Sequence, residues 1–91
     1  MSYNIIVKED YIRECKKLQP KLQKRINDFI FKTLPVSENP LLLFEKMKGY
    51  VTFYKKRFGD FRLGVEIIQS EKKIIVLKIM NRKEIYRHFP P

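Results

Sequence analysis

The sequence is poor in the residues on which much small-protein chemistry relies. It holds one cysteine, Cys15, and one histidine, His88. A lone cysteine excludes an internal disulfide and any multi-cysteine metal site, and it fits a reducing compartment. A lone histidine excludes a mechanism built on a pair of imidazoles. No apolar run approaches the roughly 20 residues of a membrane span. The opening "MSYNIIVKED" lacks the apolar core of a signal peptide, so the expected location is the cytoplasm. Low-complexity tracts, internal repeats and a second domain boundary are all absent, and a single domain over residues 1–91 is expected. Acid is scarce as well: ten Asp and Glu stand against twenty Lys and Arg, a formal net charge of +10. The acidic residues Glu9, Asp10 and Glu14 do not make a metal cluster, so neither metal nor other cofactor is expected.

What is present is enough apolar residue to fold, 44% of the chain, and a positive field attractive to polyanions. Tyr3–Val7 is a short β-type run. Residues 9–18 set Tyr11, Ile12, Cys15 and Leu18 at three- and four-residue intervals, which predicts an amphipathic helix with Cys15 in its core stripe. Pro20 suits the first turn of a second helix, over 20–34, with Leu22, Ile26, Phe29, Ile30 and Leu34 on one stripe. "PVSENPLLLFEKMKGY" reads as a connection. From Tyr50 the period changes to two, predicting strands over Tyr50–Phe58, Phe61–Ile68 and Ile74–Met80. The tail "NRKEIYRHFPP" reads as a turn or short helix stopped by prolines.

With Gly59-Asp60 as a two-residue turn, Arg57 falls opposite Arg62, Lys55 opposite Gly64 and Phe53 opposite Glu66. Alternation sends Phe58, Phe61, Leu63, Val65 and Ile67 to the helix side, with Tyr54 and Thr52. Lys55, Arg57 and Arg62 share the other face. If Ile68 pairs with Ile74, then Ile75, Leu77 and Ile79 face the helices. Lys78, Met80 and Arg82 then join the cations, with Met80 beside Arg62 and Arg82 beside Asp60. The expected surface is cationic, free of helix and floored by Gly64, Val76 and Met80, with Glu66 holding Lys55 diagonally. Like charges opposed on paired strands cost about 0.2–1 kcal/mol. Lysines on strands often serve only to block edge association. Four cations converging on one face fit a phosphate site better, because guanidinium forks onto phosphate. Phe29, Phe53, Phe58 and Phe61 read as packing residues, although parity points Phe53 toward the cations. His88 reads as an exposed or capping side chain near the chain end.

"YKKRFGDFRLGVEI", followed by "KIIVLKIMNRKEIYRHFP", resembles the RelE/ParE superfamily of toxin–antitoxin toxins, on the RelE side. The resemblance implies an α+β fold: two N-terminal helices packed on a four-stranded, mainly antiparallel sheet in the order β-α-α-β-β-β. It implies a ribosome-dependent endoribonuclease that cleaves mRNA in the A site without metal, by attack of a ribose 2′-oxygen on the adjacent phosphate. The family's functional positions fall on Lys55, Arg57, Arg62, Arg82 and Tyr86. Lys56, Lys78, Lys83 and Arg87 are expected to add RNA contacts. Asn81 stands where many relatives carry histidine. The implied partners are a RelB-like protein antitoxin, the ribosome and mRNA. No membrane partner is expected, since the cations lie on strands rather than on a helix with a strong apolar face. Two other readings stand beside this one: a ParE-like gyrase-targeting toxin, and a non-catalytic RNA- or DNA-binding module.

Overall fold

The computed structural model describes residues 3–90; Met1 and Ser2 of the opening stretch and the closing Pro91 lie outside them. Strand β1 (Asn4–Val7) leads into helix α1 (Glu9–Cys15), whose first-turn acids Glu9 and Asp10 complement the positive end of the helix. Helix α2 (Pro20–Asp28) begins on its proline, where the missing N–H has no partner to lose. The helix predicted over 20–34 does not stay α-helical. After Asp28 it widens into a π turn (Phe29–Thr33) and tightens into a 3-10 turn around Pro35 (Leu34–Val36). Residues four apart drift by about 40° per step around an ideal α-helix. The wider turn offsets that drift, and Ile26, Ile30 and Leu34 are all fully buried.

The sheet contains β2 (Glu45–Lys46), β3 (Phe53–Phe58), β4 (Phe61–Ile68) and β5 (Lys73–Asn81), and helix α3 (Arg82–His88) follows. Strand order is β1-β5-β4-β3-β2, with β1 parallel to β5 and the other pairs antiparallel. The expected four-stranded sheet is therefore corrected to a mixed sheet of five strands in an α+β fold with three α-helices. The added strand, β2, pairs Glu45 with Lys55 and Lys46 with Tyr54 inside the expected connection. Two residues are too few for a period to be visible. Residues 50–52, predicted to open β3, turn instead: the Tyr50 N–H donates to the Met47 carbonyl at 3.2 Å, and Gly49 takes φ +85°.

The β3–β4 hairpin has the expected register, with Arg57 opposite Arg62 and Lys55 opposite Gly64. Along β4–β5 the expected pairing of Arg62 with Met80 holds, but the ladder slips beyond Gly64. Gly64 pairs with Lys78 and Val65 with Val76, which leaves Leu77 as an extra residue. A slip of one exchanges the faces. Ile74, Val76 and Ile79 thus face the helices, rather than Ile75, Leu77 and Ile79. Val76 leaves the cationic face, and Leu77 turns toward it. Cys15 is buried in the helix-side core, as its place on the stripe predicts. Tyr11 ties the helices together by donating to Asn27 Oδ1 at 2.7 Å, and burial pushes its phenol above the ordinary value.

The opposite face is not free of helix. Ile85 and Phe89 bury themselves there with Met47, against Phe53, Leu77 and Met80. A seven-residue helix is well below the ~12–15 residues at which isolated helices hold. Docking holds α3, through two side chains whose burial is worth about 1.5–3 kcal/mol each. Asn81 caps the helix by accepting from the Lys83 N–H at 2.9 Å, and the Arg82 N–H donates to the Asp60 carbonyl at 2.8 Å. The Phe89 ring lies directly on Gly64, where a Cβ would sit 2.9 Å from its carbons.

Helix α1 is fastened to β5 by charge. Lys78 Nζ lies 2.9 Å from Glu14 Oε2 and 3.1 Å from Asp10 Oδ2, while Glu14 Oε1 accepts from the Ile79 N–H at 3.1 Å. Partial burial pulls the Lys78 ammonium down, but the bonds to Glu14 and Asp10 outweigh it and hold the pKa above the ordinary lysine value.

Two substitutions test this arrangement. Gly64→Ala should displace Phe89, destabilise the protein by about 1–3 kcal/mol and speed amide exchange in α3 more than in α2; unchanged α3 protection would contradict the packing. Lys78→Met should cost about 1–3 kcal/mol at neutral pH, because Glu14 loses its partner. A raised folded pKa contributes stability that is present below the unfolded lysine value and lost as pH rises through the folded one. The gap between wild type and Lys78→Met in denaturant melts should accordingly narrow above pH 10.5.

Candidate functional site

The β3–β4 turn places two arginines face to face, and the hairpin disposes of their repulsion by treating them differently. Arg62 folds back on the turn: Nη1 donates to the carbonyls of Gly59 at 2.8 Å and Phe61 at 3.0 Å. The residue is only 8% exposed, yet among the described residues it is in no ion pair. A buried cation without a counter-ion is costly unless an anion visits it. Arg57 extends into solvent.

Beside them, Lys55 Nζ donates to Tyr86 Oη at 2.8 Å and lies 3.2 Å from Glu45 Oε1. The bond to Tyr86 is the main reason its pKa stands above the ordinary lysine value; Glu45 adds to the rise, and partial burial opposes it. Lys55 is therefore a charged donor at neutral pH rather than a lowered-pKa base. Lys55, Arg57, Arg62, Tyr86 and Glu45 together line a polar cavity of about 90 Å³. Its three cations suit a phosphate group.

Four of the five principal residues singled out in the sequence thus share one cavity. The fifth, Arg82, lines a neighbouring hollow with Asp60, Asn81 and Lys83. Arg82 and Tyr86 are four residues apart on α3 and so lie on one helix face. Glu45 was not anticipated: its partner is ten positions away through a strand of two residues, and no local pattern announces it.

The remaining residues singled out in the sequence meet different surroundings. Lys56 points to the helix side, with Nζ 4.8 Å from the Phe29 ring centroid and 5.7 Å from that of Phe58, so it is withdrawn from any RNA face. Lys78 is held by Glu14 and Asp10. Lys83 and Arg87 are exposed on α3, Arg87 at 3.8 Å from Glu84. Glu66 accepts from the Thr52 hydroxyl at 2.9 Å instead of holding Lys55. Phe53 does point with the cations, but it packs against Phe89. His88 is exposed in the last turn of α3, and Asn81 serves as a helix cap. No helix among the described residues is long and apolar enough to cross a membrane.

The chain matches the family described as ParE toxin of type II toxin-antitoxin system, parDE, over residues 5–86. It is 30% identical over 88 residues to toxin RelE3 of Methanocaldococcus jannaschii, covering 94% of this chain and 98% of that one. Among solved structures, it resembles a chain of the RelB-RelE antitoxin-toxin complex from Methanococcus jannaschii with a TM-score of 0.75 and 30% identity, covering 93% of this chain and 99% of that one. It resembles a chain of the toxin-antitoxin complex RelBE2 from Mycobacterium tuberculosis in fold, with a TM-score of 0.75 at 20% identity, over 90% of this chain and 100% of that one.

The electrostatics of the cavity can be read directly. Tyr86→Phe should lower the Lys55 ammonium midpoint toward the ordinary value, and by more than Glu45→Gln does, in side-chain NMR titrations. An unmoved midpoint in Tyr86→Phe would show that the hydroxyl is not its main support.

Proposed function

Because the chain belongs to the RelE/ParE superfamily of type II toxin–antitoxin toxins, we propose that its cationic face cleaves messenger RNA in the ribosomal A site. The observation that carries this reading is the nearly buried Arg62 guanidinium, in no ion pair among the described residues, in a polar cavity with Lys55, Arg57 and Tyr86. Cleavage by a ribose 2′-oxygen needs alignment, loss of the hydroxyl proton and stabilisation of a phosphorane-like charge. The 2′-oxygen forms a bond to phosphorus as the bond to the 5′-oxygen breaks, leaving a cyclic phosphate and a 5′-hydroxyl. Arg62 and Arg57 take the non-bridging oxygens. The Tyr86 hydroxyl, held by Lys55, orients the attacking ribose, whose 2′ proton passes to water as the bond to phosphorus forms. Lys55, kept charged, supplies a proton to the departing 5′-oxygen. Arg82, Lys83 and Arg87 on the adjoining helix bind flanking phosphates.

The partner that restrains this activity is a RelB-like antitoxin. Support comes from the complexes in which the related RelE chains were solved with RelB, and from the complementarity of an acidic segment to a chain of net charge +10.

The test is primer extension on mRNA in programmed ribosomes. Wild type should create new 5′ ends at the A-site codon. Arg62→Ala should reduce the rate by about 10²–10³, the cost of one oxyanion donor. Intact mRNA on ribosomes that bind the wild-type protein would sink the reading. The family description also names ParE, so a supercoiling assay with gyrase is run beside it; inhibition there with intact mRNA would assign the gyrase-directed role instead.

A further inference from the structure

The loop between β2 and β3 carries a second surface at the edge of the sheet. Lys46, Met47, Lys48, Gly49, Tyr50 and Val51 line an open hollow of about 430 Å³. Lys46 and Lys48 are in no ion pair among the described residues. Tyr50 is 45% exposed, and its ring is propped edge-to-face on Phe53, with centroids 5.8 Å apart and planes at 82°. Phe53 meets Phe89 in the same manner at 5.5 Å. The aromatic line from Tyr50 through Phe53 to Phe89 ends on Gly64, which pairs with Lys55 of the cationic cavity.

A ring held firm on one side and open on the other offers a platform to a flat partner. Two free ammonium groups beside it offer charge to an anion. Single-stranded nucleic acid supplies both on one ligand, a base to stack and a phosphate to bind. An acidic peptide would answer the lysines alone. We infer that loop 46–51 is a single-stranded RNA subsite, in which Tyr50 stacks on a base and Lys46 and Lys48 take the adjoining phosphate. The inference rests on reading the neighbouring cavity as the cleavage site. The two lie close together: Tyr50 is propped on Phe53, which shares a sheet face with Lys55 and stands about 6.6 Å along β3 from it. The subsite thus receives a nucleotide next to the one being cleaved.

The probe is an oligoribonucleotide with 2′-O-methyl groups throughout, which removes the nucleophile, carrying one 2-aminopurine whose fluorescence falls on stacking. Tyr50→Ala should weaken binding to the full chain by about 5–100-fold and abolish the quenching, while Tyr50→Phe stays within about twofold of wild type. Lys46→Ala with Lys48→Ala should lower the salt slope of binding by about 1.4. On programmed ribosomes, Tyr50→Ala should raise the concentration for half-maximal cleavage by more than it lowers the saturating rate. Unfolding midpoints of all variants serve as the control for folding. Oligonucleotide binding and half-maximal concentration both indifferent to Tyr50 and to the two lysines overturn the subsite, whether or not mRNA is cut. The same holds if only capture of an acidic protein partner suffers. Tyr50-dependent binding without ribosomal cleavage would leave the subsite standing and remove the nuclease reading.

Discussion

The seating of the Phe89 ring on the bare backbone of Gly64 decides what the far face of the sheet can be. Any side chain at that position would meet the ring, and a helix of seven residues has no means of its own to stay folded. With the ring seated, Ile85 is buried beside it, and Tyr86, next in the chain, is carried to Lys55. The cavity is therefore assembled by a packing contact some distance from its chemistry. The same residue, Gly64, marks the point where the β4–β5 ladder slips and the strand changes which side chains it turns inward. Packing and register meet at one position without a side chain.

Charge is distributed with equal economy. The acids are concentrated where the fold needs holding: Glu14 and Asp10 on Lys78 at the α1–β5 junction, and Asp28 on Lys24 and Lys32 along the helical hairpin. Among the described residues Glu45 is the only acid lining the pocket, and it engages Lys55 while neither arginine there is in an ion pair. The turn carbonyls partly compensate Arg62, which keeps the guanidinium aimed while its charge stays unneutralised. A +10 chain can thus be stable and still hold an unsatisfied positive site.

Much of the cationic face was legible because its geometry is local. Gly59-Asp60 between aromatic residues sets the hairpin, and the hairpin sets Lys55, Arg57 and Arg62 on one face. The alternation that sends Tyr54 and Phe58 inward sends Lys56 with them, so its position over Phe29 follows from the same rule. What failed was non-local. In "IIVLKIM" every residue but the lysine is apolar, so either parity fills a core, and the slip at Gly64 cannot be seen in the pattern. The spacing of Ile85 and Phe89 suits one helix face, but nothing in so short a tail says which surface it covers. Glu45 enters the cavity through a two-residue strand, below the length at which periodicity carries information.

The order of the strands has a consequence for how other molecules can approach. The sheet ends on one side with β1, four residues long, and on the other with β2, only two. Each outer edge offers few free backbone groups to a foreign strand. Self-association by edge-to-edge stacking is therefore disfavoured even at high concentration, without help from proline or bulges at the rim. A protein that embraces this chain finds few backbone groups to pair with at either edge, so side chains across the helical hairpin or over α3 offer the larger grip.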